Sequence, residues 1–242
     1  MSDAGLQATL PATAVDETGQ SRSGDVAAER ALTLYLDKRE IVTLMTLGTH
    51  PELLVLGWLR NQRLLPGIES ISEIQIDWET DAAVVTTTAG VEGLEEKLGR
   101  KTVTSGCGQG TLFGSLMDDL EKIRLPATRI RQSRIYAMLK SLADHNAVYR
   151  RAGAVHGCAL CHDDSIQLFV EDVGRHNTLD KIWGYCLREG IETQDRILLT
   201  TGRISSEMLG KAARMGVPIV VSRTSPTSLS VALAEAWNIT LV

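Results

Sequence analysis

The sequence predicts an α/β protein, and three observations carry that expectation. From about residue 165 onward, short apolar, β-prone runs alternate with amphipathic helical stretches up to the last residue. A polar loop containing one arginine follows each of three of these runs. Ahead of this region, residues 30–104 read differently, as paired strands around one helix. Alternation of the first kind predicts parallel strands joined by right-handed crossovers, with ligands bound beyond the strands' carboxyl ends.

Residues 1–29 mix Ala, Thr, Ser, Gly, Asp and Glu with few large apolar side chains, and are expected to form a disordered tail. In the small β-rich domain at 30–104, Leu32, Leu34 and Leu36 alternate with Thr33 and Tyr35, and residues 37–40 turn the chain into a second apolar run at 41–46. That is a hairpin. Pro51 suits the first turn of a helix filled by Leu53, Leu54, Leu56, Trp58 and Leu59, and Pro66-Gly67 stops it. Two more strands follow, one around Ile74, Ile76 and Trp78 and one at 82–88.

Residues 105–125 hold the chain's most glycine-dense loop, S-G-C-G-Q-G-T, and a connecting helix. Glycines on both sides leave Cys107 poorly placed for packing and free to stand clear near a helix start, which favours thiolate. Cys107 is therefore a candidate nucleophile or sulfur carrier, the plain alternative being a small residue in a tight turn. The last domain, 126–242, opens with a basic helix at 128–145, carrying Arg129, Arg131, Arg134 and Lys140. His156, Cys158, Cys161 and His162 are zinc-type ligands, but all crowd into seven residues with no second cysteine pair. We read the two cysteines as small core residues, with His156 turned toward the strand ends.

The three loops are residues 171–178, 202–207 and 222–227, each preceding a helix. Arg175, Arg203 and Arg223 occur once per loop among Ser, Thr and Gly, with Glu171, Asp172 and Glu207 nearby. On one rim they would bind a phosphate-bearing, nucleotide-like ligand whose hydroxyl or amino groups meet the carboxylates. Ordinary capping and turn roles are the alternative for any single loop.

Composition narrows the function classes. A net charge of -5, from 25 basic and 30 acidic residues, argues against bulk nucleic-acid binding, as does an aromatic content of 4%. No apolar run is long enough to span a membrane, and four cysteines are too few for a disulfide scaffold, so a cytoplasmic protein is expected. Two functions fit these residues. One is a thiol-dependent transfer protein acting through Cys107; the other is a nucleotide-binding assembly module in which Cys107 is incidental.

The motifs E-D-V-G-R-H-N-T-L-D-K, T-G-R-I-S-S-E-M, K-A-A-R-M-G-V-P-I, S-P-T-S-L-S-V-A-L-A-E and A-G-A-V-H-G-C-A-L strongly resemble the formate dehydrogenase accessory protein (FdhD) family of sulfur carriers. The resemblance is densest from about residue 150 and continues more weakly through T-L-G-T-H-P-E-L-L-V-L-G-W-L. It implies a cytidine-deaminase-like, three-layer C-terminal domain. It also implies transfer of persulfide sulfur from a cysteine desulfurase to the bis-guanine-dinucleotide molybdenum cofactor, ahead of insertion into formate dehydrogenase. Cys107 matches the persulfide cysteine. Glu171, Asp172, Gly174, Arg175, His176, Arg203, Ser205, Ser225 and Thr227 become cofactor-binding candidates, with no bound metal expected; whether the protein is a homodimer stays open.

This chain departs from the family pattern in three places. Its loop has one cysteine where members commonly have C-x-x-C, Gly153-Ala154 stands where many have two glycines, and the sequence ends at Val242 where members usually continue with a glycine- and arginine-containing tail. Deamination is not expected, since His156-Gly157-Cys158 lacks the H-x-E glutamate and no P-C-x-x-C follows.

Overall fold

The computed structural model describes residues 4–91, 93–94 and 123–242. The described residues form a mixed α/β fold with three sheets. The first corrects the expected disordered tail: β1 (Thr9–Val15) and β2 (Ser21–Ala27) form an antiparallel hairpin. Its turn is held by Asp16, whose Oδ1 accepts from the backbone N–H groups of Thr18 and Gln20, both at 3.0 Å. Both strands are largely exposed, so no buried alternation marks them in the sequence. Their order comes instead from docking. Arg151 grips Asp25 with Nε at 2.8 Å and a second nitrogen at 3.1 Å, and the N–H of Leu6 donates to the carbonyl of Gly48.

The second sheet follows the sequence closely. β3 (Arg30–Leu36) and β4 (Arg39–Thr46) pair antiparallel through Asp37 and Lys38, which both take positive φ as a tight two-residue hairpin turn requires. β5 (Ile71–Asp77) and β6 (Ala82–Thr87) complete the order β4-β3-β6-β5, with β3 and β6 parallel. Leu32, Leu34, Leu36, Ile41, Leu44, Ala83 and Val85 form one apolar face, covered by Leu54, Val55, Trp58 and Leu59 of α1 (Pro51–Asn61).

The third sheet has the order β11-β10-β9-β7-β8, built from β7 (His156–His162), β8 (Ser165–Asp172), β9 (Arg196–Thr200), β10 (Ile219–Ser222) and β11 (Thr240–Leu241). Strands β9, β10 and β11 are parallel, as alternation with helices requires. β7, which precedes the alternating region, runs against both its neighbours. The reason is local: Asp163 and Asp164 turn β7 directly into β8, so the two must be antiparallel. With β7 inserted between them, β8 still points the same way as β9 and β10.

Helices cover both faces. Cys158, Leu160, Leu198 and Val220 face α4 (Arg175–Glu189), α5 (Ser206–Met215) and α6 (Ser228–Trp237). Ala159, Cys161, Leu199 and Val221 face α2 (Gln132–His145), which begins four residues later than the sequence predicts; α3 (Ala147–Ala152) leads from it back to β7. α1 and α4 cross where two glycines meet, Gly57 under the backbone of Asp180 and Gly184 under that of Leu53, and this contact joins the second and third sheets.

Candidate functional site

The strand directions gather four chain ends on one edge of the third sheet. His156 at the start of β7 lies opposite Asp172 at the end of β8, Cys158 lies opposite Thr200, and Thr200 opposite Ser222. The loops beyond these ends are tied to one another. The hydroxyl of Ser222 donates to the carbonyl of Gly202 at 2.9 Å, the N–H of Arg223 to Thr200 at 3.1 Å, and the N–H of Thr227 to Ile204 at 3.0 Å. The N–H of Gly157 donates to Oγ1 of Thr201 at 2.9 Å. Between the loops and α3 opens a cleft of about 310 Å³ lined by Asn146, Tyr149, His156, Thr201, Arg223 and Thr224.

The predicted residues divide into three groups. Two make contacts inside the protein. The Glu171 carboxylate accepts from the N–H groups of Val148 and Tyr149, both at 2.9 Å, and so caps α3. Asp172 is fully buried, accepting from Thr46 Oγ1 at 2.6 Å and Asn177 Nδ2 at 2.8 Å, and pairing with the Lys181 ammonium at 2.5 Å. A second group shapes the rim. Gly174 precedes α4 and donates its N–H to Asp172; Ser205 and Thr227 cap α5 and α6 through their side-chain oxygens. Arg203 and Ser225 are exposed in their loops, away from the cleft lining.

Arg175 and His176 form the third group, at the start of α4. Gly202 passes so close that a Cβ there would lie 2.9 Å from the Cβ of Arg175 and 3.6 Å from Nδ1 of His156. Arg175 buries its Nε with no hydrogen-bond partner among the described residues. His176 is buried; its Nε2 lies 3.5 Å from a Glu207 oxygen without forming a hydrogen bond. Burial, helped by Lys211, Arg175 and His156, pushes its pKa down to about 2, so the ring is neutral. His156 is pushed down too, by burial and then by Arg175.

His176 makes stability pH-dependent with a definite sign. Its folded pKa lies below the 6.5 of an ordinary histidine, so the unfolded chain takes up the proton first as pH falls. The contribution is complete above pH 6.5 and is lost below it, on the order of 1 kcal/mol per pH unit. Urea unfolding of His176→Gln is expected to show a shallower loss of stability between pH 7 and 5 than the parent. Equal slopes would remove His176 as the cause.

Three cysteines are placed. Cys158 and Cys161 point to opposite faces of β7 and are fully buried, as small core residues, while His156 and His162 sit at opposite ends of the strand. Burial pushes the Cys158 thiol far up, Cys161 to about 11 and Cys186 to about 12. Among the described residues, no His, Cys, Asp or Glu group is arranged to hold a metal ion. Cys107 and its glycine loop, with the helix expected after it, lie outside the described residues.

The sequence had marked His156 and the Arg223 loop, but not Asn146, Tyr149 or the wall they form. Asn146 stands between two helices, a position that only the α2–α3 break makes visible.

Comparison with known proteins agrees with this architecture. The model of the FdhD/NarQ family matches residues 27–242. A sulfur carrier protein FdhD from Bacillus pumilus is 35% identical over 91% of this chain and 85% of its own length. One from Bacillus subtilis is 33% identical over 95% and 91%. The crystal structure of a protein from Desulfotalea psychrophila, assigned as a formate dehydrogenase accessory protein, superposes with a TM-score of 0.76 at 28% identity, covering 97% of this chain and 90% of that one. Among the described residues, no helix is long and apolar enough to cross a membrane.

Proposed function

This chain belongs to the FdhD/NarQ family, and from that premise we propose that it carries sulfur on Cys107 from a cysteine desulfurase to the bis-guanine-dinucleotide molybdenum cofactor, in the maturation of a formate dehydrogenase. One observation supports the choice of cysteine above the others. Cys158, Cys161 and Cys186 are buried with raised thiol pKa values, which makes them poor nucleophiles and favours Cys107. Its thiolate attacks the outer sulfur of the donor's persulfide. A new S–S bond forms on Cys107 as the donor's S–S bond breaks, and the donor cysteine departs as thiolate.

The cofactor is the sulfur acceptor, and the rim is where this chain would hold it. At about 310 Å³ the cleft stands at the small end of ligand pockets, roughly 300–1,000 Å³, and suits one nucleotide arm. Arg223 offers donors to phosphate, and Thr201, Thr224 and Asn146 offer polar contacts to sugar or base. With Glu171 and Asp172 engaged internally, recognition of the guanine amine falls to neutral acceptors such as the Asn146 amide. The cytidine-deaminase-like layering implied by the family accords with helices on both faces of the third sheet.

Intact-protein mass spectrometry after incubation with a cysteine desulfurase, cysteine and pyridoxal phosphate tests the carrier step. The parent is expected to gain one sulfur that Cys107→Ala does not. No gain on the parent, with the desulfurase shown to be active, leaves a nucleotide-binding assembly module as the function.

A further inference from the structure

His156 brings an imidazole to the wall of the rim cleft, and the fold leaves that ring unengaged. It opens β7 and lines the cleft together with Thr201, Arg223 and Thr224. Gly202 passes beside it, where a Cβ would lie 3.6 Å from the His156 Nδ1. Among the described residues neither ring nitrogen makes a hydrogen bond, and neither is sealed from solvent. The Arg223 guanidinium likewise has no ion-pair partner among the described residues. An imidazole and a guanidinium thus line one small cavity with nitrogen atoms to spare.

The charged neighbours of the ring come from several elements. At the end of β8, Asp172 lies opposite His156 and is already paired with Lys181. At the start of α4, Arg175 and His176 lie close enough to act on the ring. His176 is itself buried and neutral, 3.5 Å from Glu207 of α5. Beyond β10 stands Arg223, and α3 contributes the Tyr149 phenol. Burial, then the Arg175 charge, hold His156 below the ordinary histidine pKa, so the free ring is neutral at pH 7. An anion lodged against the ring reverses the second cause, because its charge offsets that of Arg175 and favours the imidazolium.

We propose that His156 belongs to the anion site of the rim: a phosphate of the bound nucleotide seats between the His156 ring and Arg223, and its arrival draws a proton from solvent onto the ring. This role rests on the reading of the rim as a nucleotide site and adds to it a pH response. Linkage sets the sign: the ring holds its proton more tightly with the ligand bound, so affinity rises as pH falls through the bound-state pKa.

Calorimetric titration of the full chain with GDP at pH 7.5, repeated in buffers of different ionisation enthalpy, counts the protons. A terminal phosphate with a second pKa of about 6 is already ionised there, so it contributes little to the count. The parent is expected to take up at least about a third of a proton per GDP bound, and His156→Gln none. Between pH 8 and pH 6.5 the parent's affinity is expected to gain at least about threefold on that of His156→Gln. His156→Asn replaces the glutamine variant if that one does not fold, and the proton count on the parent needs no variant at all. GDP binding without proton uptake, or with equal uptake in His156→Gln, overturns the role of His156 and leaves the rim site standing. No saturable heat with GDP overturns the rim site and this role together.

Discussion

Gly184→Ala is expected to destabilise the protein by roughly 3 kcal/mol or more, at or beyond the upper end of ordinary overpacking. A methyl group at that position would sit 2.0 Å from the carbonyl oxygen of Leu53, and one at Gly57 would sit 1.8 Å from that of Asp180. Both obstacles are backbone atoms of a facing helix, so no rotamer change relieves them. The helices must separate, and separation strips Leu54, Val55, Trp58 and Leu59 from the core beneath. For a chain of this size each kcal/mol lowers the melting temperature by roughly 2–4 °C, so a fall of roughly 6–12 °C is expected in thermal unfolding.

Gly57→Ala should act in the same direction, and the double variant should cost less than the sum, because one parting of the helices relieves both clashes. Gly24→Ala is the control: nothing lies within 4 Å of its added methyl, and its effect should stay within about 0.5 kcal/mol. A melting temperature for Gly184→Ala equal to the parent's would show that α1 and α4 do not meet backbone to backbone.

That crossing also marks what the sequence could and could not convey. The hairpin of β3 and β4, the helix entered at Pro51 and the later strands were legible because each buries one face and so carries a period. Gly57 and Gly184 carry none, since a glycine reports its purpose only when its partner is known. The antiparallel course of β7 was hidden for a related reason: an apolar run ahead of the alternating region has no direction of its own, which depends on the length of the connection after it. The hairpin of β1 and β2 was hidden because its order rests on one aspartate turn and on docking to α3.

The site was partly legible on the same terms. Three loops on one rim followed from the order of strands and helices, and the register brings His156, Asp172, Thr200 and Ser222 to that edge. The inward turn of Glu171 and Asp172 did not follow. A carboxylate beside a glycine and an arginine looks the same whether it faces a ligand or caps a helix. Lys181 is the converse, a lysine on a polar stretch that proves to be fully buried.

Asp172 and Lys181 give the other large effect. The pair ties the end of β8 to α4, and through Thr46 and Thr49 it reaches the second sheet. Breaking a buried ion pair by removing one partner costs roughly 3–5 kcal/mol, because the remaining charge stays in a place that water cannot reach. The two halves of the pair should differ in how they fail. In Lys181→Met the carboxylate keeps its donors from Thr46 and Asn177, and its loss should vary little above pH 7.

In Asp172→Asn the ammonium keeps, among the described residues, the Thr49 hydroxyl and the Glu171 carbonyl. Burial already pulls the Lys181 pKa down, and Asp172 is what holds it up. Without Asp172 the folded pKa falls further below that of the unfolded chain, so the unfolded chain binds more protons and stability must rise with pH. Urea unfolding of Asp172→Asn is therefore expected to recover part of its deficit between pH 7 and 9, by up to about 1.4 kcal/mol per pH unit, while Lys181→Met recovers none. Parallel pH profiles for the two variants would mean that the stranded ammonium is not what destabilises Asp172→Asn, and that the cost lies in the hydrogen bonds of Thr46 and Asn177 instead.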